Sequence, residues 1–115
     1  MLFRCDMYEE DGEMVVEVEA PGIPPEKIEV SVGEGVLCIE AALLRQAEGR
    51  RWHRRERPAG AFRREIPLPS AVLAGLAEAF VRDGVLRVRL PLARPRHPDR
   101  IALALERDQV SNIAS

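Results

Sequence analysis

The chain has 115 residues, 46% of them hydrophobic and 31% charged, which excludes a disordered chain and suits one domain with a modest core. Its formal net charge of −2 argues against nucleic acid as a partner, and no apolar run reaches the ~20 residues of a membrane span. The two cysteines and two histidines lack metal-ligand or catalytic spacing, so we expect a cytoplasmic protein without a metal, a cofactor or a membrane partner.

The first two predicted strands are marked by alternation of apolar and polar residues. In "EMVVEVE", residues 13–19, Met14, Val16 and Val18 fall on one side, and Glu17 and Glu19 fall on the other. "PGIPPE" then interrupts the pattern, because consecutive prolines cannot continue a hydrogen-bonded ladder, and "KIEVSV" resumes it at residues 27–32. The apolar side chains that share one side of the first strand are Met14, Val16 and Val18, and those of the second are Ile28, Val30 and Val32.

A glycine-rich turn, "GEG", separates this strand from a long apolar one, "VLCIEAALL" at residues 36–44. Glycine takes the positive φ that tight hairpins need, so the two strands are predicted to form a hairpin with Leu37 and Ile39 on one side. Cys38 lies within this strand and is interpreted as a small packing residue.

Residues 45–60 form a long charged connection with a single large aromatic side chain, Trp52. The alternation returns in "AFRREIPLP", where Phe62, Ile66 and Leu68 share one parity. Arg64 has the same parity, so its guanidinium is predicted to face the apolar side and to bind a carboxylate or a carbonyl, because an unpaired buried charge costs several kcal/mol. The alternative is that Arg64 reaches solvent along its aliphatic stem.

The last two predicted strands follow a segment whose pattern is ambiguous. "AVLAGLAEAFV" allows a helical turn, but Gly75 and the turn "RDG" favour a short connection and then a strand over residues 77–81. "DGVLRVRLP" alternates clearly, with Leu86, Val88 and Leu90 inward and arginines between them. Many short strands joined by turns predict an all-β fold, an immunoglobulin-like antiparallel β-sandwich with an extended C-terminal tail.

The segment "AFVRDGVLRVRLP" resembles the signature of the small heat shock protein family, the α-crystallin domain. In that signature an alanine is followed, after three variable residues, by Asn or Asp and then Gly-Val-Leu; here these are Ala79, Asp83 and residues 84–86. Four further stretches agree in order: "VEAPGI", "IEVSVGEGVLCIEA", "HRRERPAGAFRREIPLP" and "RIALAL". The resemblance therefore covers nearly the whole chain.

The resemblance implies a division of the chain into three parts. Residues 1–5 are a vestigial N-terminal arm, residues 6–91 the α-crystallin domain, and residues 92–115 a C-terminal extension. The family's variable apolar arm helps to build large assemblies and contacts clients, and here only "MLFRC" precedes the domain. This departure weakens the expectation of large oligomers and of full chaperone activity.

The resemblance assigns "HPDRIALAL" to a detachable arm whose Ile101 and Leu103 insert into a groove of a neighbouring subunit. Extended segments bind strand edges in this way, with alternate side chains entering pockets. Two alternatives stay open: docking of Leu103 with Leu105, and a final core strand of the same domain at residues 101–105. The groove residues implied by the resemblance are Ile28, Val30, Val32, Ala77, Ala79 and Val81.

The resemblance also implies a symmetric homodimer in which the 45–60 loop carries a strand exchanged with the twin subunit. Trp52 is the predicted apolar anchor of this exchange, and charged neighbours supply ion pairs between subunits. The alternative for "RRWHRRER" is phosphate contact with base stacking, which the many acidic residues of the chain disfavour. The predicted interface residues are Trp52, His53, Arg54, Arg55, Glu56 and Arg64.

The sequence contains neither a GxxxxGK[ST] loop nor a GxGxxG motif that opens a helix. The resemblance therefore implies an ATP-independent chaperone of the stress response, a holdase that binds partly unfolded proteins as a homodimer or as a higher oligomer built through the tail. One alternative is a non-chaperone binding module of the co-chaperone type on the same sandwich. The other, an enzyme, has no nucleophile–base pair or metal set to support it.

Overall fold

The computed structural model describes residues 3–43, 49–57 and 59–94, which form two antiparallel β-sheets around one core. One sheet has the strand order β1-β2-β7-β6 and the other the order β3-β4-β5. This arrangement confirms the predicted all-β sandwich. The strands are β1 (Cys5–Glu10), β2 (Glu13–Glu19), β3 (Ile28–Gly33), β4 (Val36–Leu43), β5 (Gly60–Pro67), β6 (Glu78–Arg82) and β7 (Val85–Pro91).

Three hairpins close with the same kind of two-residue turn. At residues 11–12, 34–35 and 83–84 an acidic residue precedes glycine, and the φ angles of all six lie between 52° and 78°. Two successive positive φ angles produce the turn whose twist matches that of the flanking strands. These turns set the register of the β1–β2, β3–β4 and β6–β7 pairs.

The apolar side chains of one parity meet between the two sheets and form the core. The inward residues predicted on β2, β4 and β7 are buried, whereas those of β3 are only partly buried because β3 is the outermost described strand of its sheet. The buried hydrophobic residues are Phe3, Met14, Val15, Val16, Val18, Ala20, Ile23, Leu37, Ile39, Ala41, Ile66, Leu86, Val88, Leu90 and Leu92.

Ion pairs cross the outer face of the larger sheet. Arg87 on β7 pairs with Glu17 on β2, and the guanidinium of Arg89 lies 3.1 Å from the carboxylate of Glu13. Partly exposed pairs of this kind contribute at most about 1 kcal/mol each. They cover Val15, which lies on this outer parity yet is fully buried, so the charged side chains shield the back of the sheet.

The beginning of the chain differs from the prediction. The resemblance assigns residues 1–5 to an arm, and the alternation predicts no strand before residue 13; in the structure Cys5 begins β1 and the side chain of Phe3 is 2% exposed. The alternation in β1 is weak, because only Cys5 and Met7 are apolar on its inward parity and Glu9 follows them. The connection before β6 agrees with the prediction: a short 3-10 turn at Ala74–Leu76 precedes the strand.

Candidate functional site

The strands β3 and β6 are the outermost described strands of their sheets and lie on the same side of the sandwich. We call the gap between them the open seam. Four predicted groove residues line its cavity of about 240 Å³, while Ile28 and Val81 lie on the same two strands and pack against the core. The residues that line the cavity are Val30, Val32, Ala74, Ala77, Glu78, Ala79 and Val88.

The open seam exists because small side chains face the valines of β3. Packed sheets lie about 10 Å apart, and the methyl groups of Ala77 and Ala79 cannot span that distance. Ala79 lies opposite the buried Val88 in the β6–β7 pair, so it points to the inner side although it is exposed. The result is an apolar trough along two strand edges.

A second cavity, of about 340 Å³, continues the open seam past Val32 and Ala74, which line both cavities. Its further wall comes from the stretch between β5 and β6, including Leu68 and Val72. Sequence reasoning missed this extension. In the structure Leu68, Ser70 and Val72 are half-buried at every second position, and the residues between them are exposed.

The chemistry of the open seam suits an extended apolar peptide. Its described lining carries one charged group, Glu78, and the rest is aliphatic or main chain. Side chains two residues apart on a strand point the same way and are separated by about 7 Å, which is the spacing of Ile101 and Leu103 in the predicted arm. Both residues lie outside the described ranges, so their docking stays a prediction.

The residues 50–57, which we call the arginine loop, contain five arginines and one glutamate, and all eight are exposed. Trp52 is 38% exposed, and two guanidinium groups lie over its ring, Arg55 at 4.8 Å and Arg50 at 5.7 Å from the ring centre. Arg54 pairs with Glu56 at 3.4 Å, and His53 is exposed beside them. The predicted interface residues of this loop thus form a cationic surface around a large aromatic ring.

Arg64 faces the inner side of β5, as its parity predicts, and is half-buried. Its Nη1 donates a hydrogen bond of 2.6 Å to the carbonyl oxygen of Phe3, so the predicted carbonyl partner exists. The ring of Phe3 stands edge-on to that of Phe62 on β5, with 6.4 Å between the centroids. We call this closed side of the sandwich, where Phe3 joins β5 to the larger sheet, the filled seam.

The strand β1 forms the outer edge of the larger sheet beside the filled seam. Residues 6–13 carry five carboxylates and no basic residue. Met7 and Tyr8 are exposed on this strand, and the Tyr8 hydroxyl donates a hydrogen bond to Glu17. Desolvation and the negative charge of Glu17 raise the pKa of Tyr8 above its usual value.

The remaining polar groups show no metal centre. In the described ranges no group of three His, Cys, Asp or Glu side chains could hold a metal ion, and Cys5 and Cys38 are half-buried free thiols. Cys38 and then Glu65 raise the pKa of the neighbouring Arg63 on the outer face of the smaller sheet. None of the helices in that part of the chain is long and apolar enough to cross a membrane.

Comparison with known proteins gives a consistent result. The Hsp20/alpha crystallin family model matches residues 6–104. A 17.4 kDa class I heat shock protein of Oryza sativa subsp. japonica is 33% identical over 99 residues, covering 84% of this chain and 64% of the relative. Small heat shock protein C4 of Rickettsia felis is 32% identical over 90 residues, covering 76% of this chain and 55% of the relative.

Among solved structures, a small heat-shock protein from Xylella fastidiosa superposes with a TM-score of 0.70 at 30% identity, covering 90% of this chain and 97% of that one. The chain spans less than two thirds of the length of the rice and rickettsial relatives. Residues 6–104, which the family model matches, include the strands of the sandwich, the arginine loop and Arg64.

Proposed function

The chain belongs to the Hsp20/alpha crystallin family, and on that premise we propose that it is an ATP-independent chaperone that holds partly unfolded proteins and prevents their aggregation. The observation that carries this proposal is the open seam, an apolar trough bounded by two strand edges. Unfolded polypeptides offer apolar side chains and unpaired backbone groups, which are the groups that such a trough binds. Binding alone suffices, because it lowers the concentration of the species that aggregates.

The same seam is the proposed docking site of the C-terminal arm of a neighbouring subunit. Ile101 and Leu103 have the spacing to place two side chains in the trough, against Val30 and Ala77 or their neighbours. An arm that docks reversibly would cover the trough until a client competes for it. The Xylella fastidiosa neighbour is described as having a distinct high order structure, which supports assembly beyond the dimer.

We also propose a homodimer in which the arginine loop of one copy contacts β1 of the other. The loop has five arginines, residues 6–13 have five carboxylates, and opposite charges of this size favour each other. Trp52 would then cover the exposed Met7. Arg64 would support the same side of the sandwich by holding the carbonyl of Phe3 next to β1.

The half-buried free thiols agree with a reducing compartment, so we propose the cytoplasm as the location of the protein.

Light scattering of reduced insulin, recorded with and without the chain and without nucleotide, tests the proposed activity. We expect the chain to delay and reduce the scattering in proportion to its concentration, with no change on addition of ATP. Serum albumin at the same mass concentration is the control for a generic protein surface. Scattering that is reduced no more than by albumin would contradict the chaperone and leave a binding module of another kind.

Sizing tests the docking arm separately. The intact chain and a version that ends at Pro95 are compared by analytical ultracentrifugation at several concentrations. We expect the shortened version to form smaller species, because the docking residues are gone while every described strand is kept. Identical sedimentation of the two versions would refute the arm as an assembly element.

A further inference from the structure

The filled seam is held closed by one residue near the start of the described chain. The N–H group of Phe3 donates to the carbonyl of Glu19 on the larger sheet, and its own carbonyl accepts the hydrogen bond from Arg64 on the smaller one. Its ring packs against Phe62 and is almost completely buried. Phe3 therefore acts as a plug between the two sheets.

The plug is held in a strained backbone conformation. Phe3 has a φ of 66°, in the left-handed region that an aromatic residue with a Cβ rarely adopts. Strained residues persist only where the surroundings hold them, and they cluster at sites that change state. Leaving the seam would relieve this strain, so the segment at residues 3–4 is a candidate for local opening while the rest of the sandwich stays folded.

The contacts of the plug are not specific to Phe3. The seam supplies a ring edge from Phe62 and a guanidinium donor from Arg64, and Phe3 answers with an aromatic side chain and a main-chain carbonyl. Every aromatic residue of an unfolded protein presents the same two groups. What the seam binds within the chain thus shows what it would accept from another.

We propose that the filled seam is a second polypeptide-binding site, a step that rests on the holdase function proposed above. At rest Phe3 occupies the site; when residues 3–4 detach, an aromatic residue of an unfolded client takes its place. The client ring then packs on Phe62, and Arg64 donates to the client carbonyl. The open seam and the filled seam would bind a client at opposite sides of the sandwich.

Amide hydrogen exchange on the intact chain with reduced insulin tests this replacement directly. If residues 3–4 detach, the amides of Phe3 and Glu19 lose their acceptors, because Phe3 donates to Glu19 and Glu19 donates to Arg4. We expect the client to accelerate both exchange rates by at least about tenfold. The amide of Ala20, which donates to Gly84, is the matched control and should be unaffected. A Glu19 amide that exchanges no faster with client bound would overturn the proposal.

The variant Phe3→Ala tests the same idea by emptying the site. Compared under conditions where both are folded by circular dichroism, Phe3→Ala should halt insulin aggregation at a severalfold lower concentration than Met14→Ala, a core truncation on β2 at a residue that lines neither seam. Equal potency of the two variants would overturn the proposal. If Phe3→Ala does not fold, the exchange measurement on the unaltered chain decides.

The two proposals fail in different ways. A chain that suppresses aggregation while the Glu19 amide stays protected is a holdase that uses the open seam alone, and only the second site is refuted. A chain that does not suppress aggregation at all refutes the chaperone and this inference with it.

Discussion

The two seams of the sandwich are built from the same kind of strand edges yet have opposite character. In the open seam, Val30 and Val32 face Ala79 of β6 and Ala77 just before it, and a cavity of about 240 Å³ remains. In the filled seam the rings of Phe3 and Phe62 pack together, and the half-buried guanidinium of Arg64 donates a hydrogen bond to the carbonyl of Phe3. Side-chain size at the facing positions therefore decides which edge of the sandwich can take a foreign chain without rearrangement.

The energies of the two seams differ accordingly. Burying the Phe3 side chain contributes roughly 2–3 kcal/mol, less about 1 kcal/mol for its left-handed backbone. The open seam leaves its alanines and valines partly in water, so that apolar contact is still available to a ligand. One side of the molecule therefore leaves apolar surface uncovered, whereas the other side is occupied by Phe3.

The substitution Arg64→Gly breaks the filled seam and has the largest expected effect. It removes a charge-assisted hydrogen bond and adds a flexible residue to β5, so the free energy of unfolding should fall by about 3 kcal/mol. We also expect a looser dimer and faster aggregation, visible in sedimentation and in the melting curve. Arg63→Gly is the matched control, because the Arg63 side chain makes exposed contacts with Glu40, Glu65 and Cys38, and its loss should lower the free energy of unfolding much less. Equal losses of unfolding free energy in the two variants would show that the hydrogen bond from Arg64 to Phe3 does not stabilise the fold.

The substitution Val30→Asp breaks the open seam and leaves the filled seam intact. A carboxylate in the trough would lose its hydration on contact with an apolar ligand, so arm docking should weaken by about 2 kcal/mol, about thirtyfold in affinity. Sedimentation should show smaller species. Ser31→Asp, on the opposite face of the same strand, should leave the distribution unchanged. Identical sedimentation profiles for the two variants would show that the open seam does not take part in assembly.

The fold was largely predictable because the central strands carry strong patterns. Alternation marked β2 and β7, and the turns that contain Glu34-Gly35 and Asp83-Gly84 marked two of the three hairpins, since that geometry depends on local chemistry alone. The parity of Arg64 also predicted its inward direction and its carbonyl partner. Period and turn chemistry are encoded residue by residue, so they can be read without a structure.

What could not be predicted depends on contacts between distant segments. Phe3 looks like part of a loose arm, and only the approach of Phe62, 59 positions later, shows that it belongs to the core. The strand β1 pairs with β2 through its backbone although half of its side chains are charged, so its sequence pattern does not reveal it. The extension of the open seam past Val72 likewise depends on a loop that packs against the sandwich edge. The interface of Trp52 with a second copy stays a prediction.

Salt dependence sharpens the comparison at the β1 edge, which borders the filled seam. Raising salt from about 0.1 M to about 1 M shortens the screening length of charge interactions from about 10 Å to about 3 Å. This change should weaken a contact between the arginine loop of one copy and the acidic β1 segment of the other. We expect the dimer dissociation constant to rise by about tenfold, or about 1.4 kcal/mol, in equilibrium sedimentation. Trp52→Ala should weaken the dimer at all salt concentrations. A dimer dissociation constant that does not change with salt concentration would exclude this charge pairing.

The smallest expected effect is on the titration of Tyr8, the single tyrosine. Because Tyr8 lies on β1, its pKa reports whether β1 detaches from the sheet together with Phe3. Desolvation and Glu17 raise its pKa above the usual 10.0, so tyrosinate absorbance should titrate at higher pH than in the unfolded chain. The unfolded phenol ionises first, so stability is present below pH 10 and decreases as pH rises beyond it. Glu17→Gln should bring the midpoint back toward the usual value. In Arg64→Gly the midpoint should stay raised, because only residues 3–4 detach; a return to the usual value would mean that β1 opens with them and that the seam and the edge are one unit.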